Sequence, residues 1–120
     1  MDLKLSFAEK PLAFFILAHG AGAGQQSTFM VEAARGLASR GITTATFDFP
    51  YITAKRKVPD RAPVLEQAWR DAIQAARSQA GDLPLFIGGK SMGGRIASQV
   101  AAQGGVDTLM GLVFFGYPLH

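Results

Sequence analysis

Along the chain, short apolar runs alternate with longer stretches in which apolar residues recur at helical spacing. "LKLSFA" (3–8) alternates apolar and polar positions, the period of a half-exposed strand. "LAFFILA" (12–18) is apolar without interruption, as in a strand covered on both faces of a parallel sheet. "STFMVEAARGLASRG" (27–41) sets Phe29, Ala33 and Leu37 four residues apart, starts at Ser27 and stops at Gly41, which predicts a helix. "ITTATFDF" (42–49) predicts the next strand, and the irregular "PYITAKRKVPDRAP" (50–63) follows it. Pro63 suits a first helical turn. From there Val64, Ala68, Ala72 and Ala76, with Leu65, Trp69 and Ile73, draw a broad stripe with a period near 3.6, ended by Gly81. Trp69 on that stripe reads as core. "LPLFIG" (83–88) predicts a strand, "MGGRIASQVAAQ" (92–103) a helix closed by Gly104-Gly105, and "TLMGLVFFG" (108–116) a last buried strand.

Strand and helix in alternation mean a parallel sheet wrapped by right-handed crossovers. The expected architecture is α/β: one domain over residues 1–120, with a mainly parallel sheet of about five strands and three helices packed on both faces.

Composition narrows the chemistry. With 48% apolar residues and 14 glycines, the chain suits a tightly turned globular domain and not a disordered one. There is no cysteine, which removes disulfides and thiolate metal sites. The two histidines, His19 and His120, lie far apart and show no metal-ligand spacing, so neither a metal nor a cofactor is expected. The net charge of +3 comes partly from Lys55-Arg56-Lys57 with Arg61 nearby. That cluster is either a solvated loop or an attractor for an anionic substrate or partner. Basic residues are not interleaved with aromatics, which sets nucleic acid aside. "LAFFILA" is short for a signal core and follows the mixed charges Asp2, Lys4, Glu9 and Lys10. No run approaches membrane-spanning length, so the expectation is a cytoplasmic protein without a membrane partner.

The segment "GGKSMGG" (88–94) admits two readings. A phosphate-binding P-loop needs glycine five residues before Gly89, but Pro84 stands there and the intervening residues are strand-like. That reading fails on spacing. The alternative, G-x-S-x-G over Gly89-Lys90-Ser91-Met92-Gly93, sits between a predicted strand and a helix that begins at once, the context of a nucleophile elbow. Glycine is needed there because side chains two residues before and after the serine would clash across a strained turn. The following helix aims its amino-terminal N–H groups at the place where an oxyanion develops. The bland alternative is a glycine turn for close strand–helix packing, with Ser91 a mere cap.

"HGAGAGQQ" (19–26) also lies between strand and helix. A dinucleotide fingerprint would need glycine at Gln25 or at Ser27, though Asp48 could imitate the ribose-binding acid, and that reading stays open. The other reading makes it the turn that supplies a second oxyanion amide. Both glycine-rich turns then meet at one crevice.

The blocks "LAHGAGAG" (17–24), "FDFPY" (47–51), "PDRAPVLEQAWR" (59–70), "GGKSMGGRIAS" (88–98) and "GYPLH" (116–120) resemble the α/β-hydrolase superfamily. The resemblance is to its small dienelactone-hydrolase-like branch, whose eukaryotic relatives include a non-catalytic subunit of a chromatin acetyltransferase complex. It implies Ser91 as nucleophile of an ester or acyl hydrolase acting on a small molecule. It also implies an oxyanion hole from the amides of Met92 and of Ala21 or Gly22, with Gly20, Gly89 and Gly93 as loop and elbow glycines. Residues 50–61 would form one rim of the pocket.

Family members continue past the "GYPLH" strand into loops that carry the triad acid and histidine. Neither is expected here: His120 ends the sequence, His19 belongs to the oxyanion turn, and Asp48 and Asp60 are weak stand-ins for the acid, Asp60 better suited to pairing Arg61 or capping a helix. The expectation is therefore a truncated domain, nearly inert alone, with the open edge of its last strand inviting self-association. A non-catalytic interaction module remains the alternative from another class.

Overall fold

The computed structural model describes residues 1–106 and 109–116. Its elements, in chain order, are β1 (Lys4–Ser6), β2 (Ala13–Ala18), α1 (Thr28–Ala38), β3 (Ile42–Phe47), α2 (Pro50–Thr53), α3 (Ala62–Ala80), β4 (Leu85–Lys90), α4 (Met92–Gln103) and β5 (Leu109–Phe115). The five strands form one sheet in the order β1-β3-β2-β4-β5. β1 pairs antiparallel with β3, and the other pairings are parallel.

The alternation of side chains along β2 divides the core between two faces. Phe15 and Leu17 point to α1, where they meet Met30, Phe29, Ala33 and Leu37. Phe14, Ile16 and Ala18 point to the opposite face, against α3 and α4. Trp69, wholly buried, lies in that larger cluster with Phe47 edge-on to its ring at 5.1 Å. Ser27 caps α1, its hydroxyl accepting from Met30 N–H, and Pro lies in the first turn of α3, as the sequence predicts.

Three expectations need correction. Among the described residues there are four helices and not three, because Pro50 in the irregular segment starts the short α2. β5 is not a buried strand: Met110, Leu112, Val113 and Phe114 expose 65%, 38%, 38% and 39% of their surface, since α4 covers only part of it and no described strand pairs its outer edge. Asp60 pairs Arg56 at 3.0 Å and not Arg61, because the turn after α2 brings position 56 back beside it. Its second carboxylate oxygen accepts from Tyr51 N–H at 2.8 Å, capping the first turn of α2 from across the loop, which is the other role expected of Asp60.

β3 and β4 lie on opposite sides of β2. The chain leaves β2 one way and later passes to its other side, which opens a crevice at the carboxyl ends of β2 and β4. That crevice holds the turn after β2, at residues 19–22, and Ser91.

Candidate functional site

Ser91 occupies the single-residue junction between β4 and α4, with φ +49° and ψ −112°. Positive φ in a non-glycine residue is uncommon, and the cost of such a conformation is of order 1–3 kcal/mol. Its surroundings hold it there. Ser91 N–H donates to Phe115 O at 2.9 Å, tying the turn to β5, and Arg95 N–H donates to Ser91 O at 3.0 Å, closing the first turn of α4. The N–H groups of Met92, Gly93 and Gly94 precede that first intrahelical bond.

Close backbone approach explains the flanking glycines. A Cβ on Gly89 would lie 2.5 Å from Ala18 O and 2.9 Å from Gly94 N. A Cβ on Gly93 would overlap His19 O and come within 2.8 Å of Ala18 Cβ. The elbow is thus pressed against the end of β2. From the other side, the buried Trp69 indole donates to Gly93 O at 3.0 Å.

The turn after β2 is fixed by its carbonyls. His19 is wholly buried, its Nδ1 bonds Gly20 O at 2.7 Å, and its Nε2 accepts from Phe49 N–H at 3.0 Å. A ring nitrogen that accepts carries no proton, so the neutral Nδ1–H tautomer is the one that satisfies both bonds. Burial pushes the imidazole below its ordinary range, outweighing the opposing effects of Gly20 O and the Asp48 carboxylate. Asp48 Oδ1 stands 4.0 Å from Nε2 without a hydrogen bond to it, and accepts instead from Gln25 N–H at 2.8 Å. The Tyr51 hydroxyl donates to Ala21 O at 2.9 Å and lies 3.4 Å from Gly20 O. Burial, with Asp60 and Asp48 adding to it, raises the Tyr51 phenol above its usual range, so it stays a donor. In a trans peptide the N–H points opposite to the C=O. Anchoring Gly20 O therefore aims Ala21 N–H, and anchoring Ala21 O aims Gly22 N–H.

A cavity of about 280 Å³ lies beside Ser91, lined by Ala21, Asp60, Met92 and Arg95 among others. Ala21 lines it and Gly22 does not. Of residues 50–61, Pro59 and Asp60 line it. Gly20 backs onto the elbow: a Cβ there would lie 3.8 Å from Ser91 Cβ. A larger cavity, about 840 Å³, opens between Asp48, Thr53 and Asp71 and does not include Ser91. Among the described residues, no three His, Asp or Glu side chains gather as a metal would need, and no helix is long and apolar enough to cross a membrane.

Of the weak candidates for base and acid, His19 has both ring nitrogens engaged and Asp60 both oxygens. His120 lies outside the described residues. Sequence reasoning missed Tyr51 as the anchor of the glycine turn and Arg95 as part of the cavity wall. The signal for Arg95 was its position one helical turn after Ser91; Tyr51 left none.

The fold is shared with solved hydrolases. A serine hydrolase without lid from Xanthomonas campestris superposes with a TM-score of 0.73 at 22% identity, covering 85% of this chain and 50% of that one. A carboxyl esterase from Bacillus coagulans gives 0.74 at 21% identity, covering 93% and 38%. A dienelactone hydrolase from Anabaena variabilis gives 0.76 at 20% identity, covering 93% and 55%. This chain thus spans 38% to 55% of these three structures. No curated protein matches the sequence. The sequence model of the alpha/beta hydrolase domain matches residues 11–120. Together with the strand order and the turn at Ser91, that match over nearly the whole chain establishes that it belongs to the α/β-hydrolase domain family.

Proposed function

We propose that Ser91 is the nucleophile of an ester or acyl hydrolase, with Met92 N–H and Ala21 N–H as oxyanion donors. The observation that carries this reading is the positive φ of Ser91 at a strand–helix junction, beside a cavity whose wall includes both amide-bearing residues. In such a reaction the serine Oγ bonds to the acyl carbon, its proton passes to a base, and the tetrahedral oxyanion collapses with loss of the alcohol. Water then releases the acid by the same route. The names of the superposed carboxyl esterase and dienelactone hydrolase support the substrate class, an ester or lactone.

The described residues offer Ser91 no free base. The His19 ring is spent on holding Gly20 O and Phe49 N–H. A triad that loses its histidine loses about a millionfold in turnover, while the oxyanion hole and binding retain about a thousandfold over water. The reading is therefore a hydrolase site whose serine reacts slowly in this chain by itself. The test is a fluorophosphonate probe followed by mass spectrometry. Slow adduct formation at Ser91, absent in Ser91→Ala and faster than at any other serine, is the expected result. No adduct at Ser91 after prolonged exposure, with the protein folded, overturns it. The engaged state of His19 also favours a second reading, an interaction module that keeps the fold without the chemistry. Partner capture that survives Ser91→Ala would support that one.

A further inference from the structure

The cavity beside Ser91 has a single cation in its wall, Arg95. Arg95 lies one helical turn after Ser91, and side chains at i and i+4 share a helix face, leaning toward its amino end. Its Nε is buried, and no described residue offers it an acceptor. Arg95 as a whole is half-buried, but a buried donor atom left without a partner in a folded protein calls for an explanation. The neighbouring carboxylate does not supply one. Asp60 shares the cavity wall, but its two oxygens are held by Tyr51 N–H and Arg56, and no ion pair joins it to Arg95. Gln99 Oε1, a turn further along α4, is the other buried atom left without a partner among the described residues. It is an acceptor, yet the two groups do not meet.

We propose that Arg95 is the anion-recognising residue of this cavity, and that the acyl group bound beside Ser91 carries a carboxylate. The inference rests on the reading of Ser91 as nucleophile and narrows its substrate to half-esters of short dicarboxylic acids. The guanidinium fork matches a carboxylate, and a single cation sharing its wall with Asp60 suits a monoanion better than a doubly charged phosphate. The size agrees: about 280 Å³ lies at the small end of ligand pockets, room for a short chain. Lys55, Lys57 and Arg61, on the loop whose Pro59 and Asp60 line the cavity, add a field that favours anions on approach.

The test is binding to the Ser91→Ala protein, so that no turnover intervenes, with monomethyl glutarate and the uncharged dimethyl glutarate as probes in a calorimetric or NMR titration. The monoanion is expected to bind about 10–100-fold more tightly, a preference that Arg95→Gln removes. Arg95→Lys, which keeps charge without the fork, should retain part of it. Should Arg95→Gln lose its fold, the lysine variant decides, by weakening the monoanion several-fold more than the diester. Equal binding of the two probes, binding of neither, or a preference unchanged in both variants overturns the proposal. Because the readout is affinity without chemistry, its failure is distinct from failure of Ser91 to react with the phosphonate probe.

Discussion

The Tyr51 hydroxyl donates to Ala21 O at 2.9 Å, joining the start of α2 to the turn after β2 across thirty residues of sequence. It anchors a peptide unit of the proposed oxyanion loop without itself lining the cavity at Ser91. Tyr51→Phe keeps the buried ring and deletes the donor. The expected loss is about 1 kcal/mol in urea unfolding. Phosphonate labelling of Ser91 should slow about tenfold, short of the roughly 100-fold or more that deleting an oxyanion donor outright costs. An unchanged labelling rate would show that the loop needs no such anchor.

Two glycines of the site answer to different constraints, and alanine separates them. At Gly93 a Cβ would overlap His19 O, so Gly93→Ala should cost about 1–3 kcal/mol or prevent folding. At Gly22 nothing lies within 4 Å of an added Cβ, and Gly22→Ala should change the unfolding midpoint little. Similar midpoints for the two variants would contradict the packing of the elbow against β2.

His19 makes stability depend on pH in a stated direction. Burial lowers its pKa from 6.5, so the unfolded chain binds the proton more readily than the folded one. Its contribution is complete above pH 6.5 and is lost as pH falls below that value toward the folded-state pKa. Urea midpoints measured between pH 7.5 and 5 should therefore decline, and the decline should shrink in His19→Asn. A steeper decline in the variant would reverse the sign.

β5 presents Met110, Leu112, Val113 and Phe114 to solvent at the outer edge of the sheet. An apolar edge strand is a template for pairing with another chain. Light scattering should detect concentration-dependent association that Val113→Lys reduces. A monomer at all concentrations would count against it.

The local parts of this structure were legible in the sequence. Residues 92–103 form a helix because Met92, Ile96 and Val100 recur on its buried face and Gly104 ends it. Gly89 and Gly93 reveal the tight turn because only contact with a neighbouring strand demands glycine at both. What escaped was long-range. Nothing near Tyr51 in the sequence points to Ala21, and nothing near Asp60 says that it will hold Tyr51 N–H. The exposure of β5 escaped for another reason: an apolar run looks the same whether or not a neighbour covers it.

Ser91 N–H is hydrogen-bonded to the last carbonyl of β5, so the serine borrows its register from the outermost strand. Whatever grips or twists that strand, a second copy included, pulls on the turn through a single amide. A displacement of that strand would therefore be felt at the backbone of position 91 before anything entered the crevice itself.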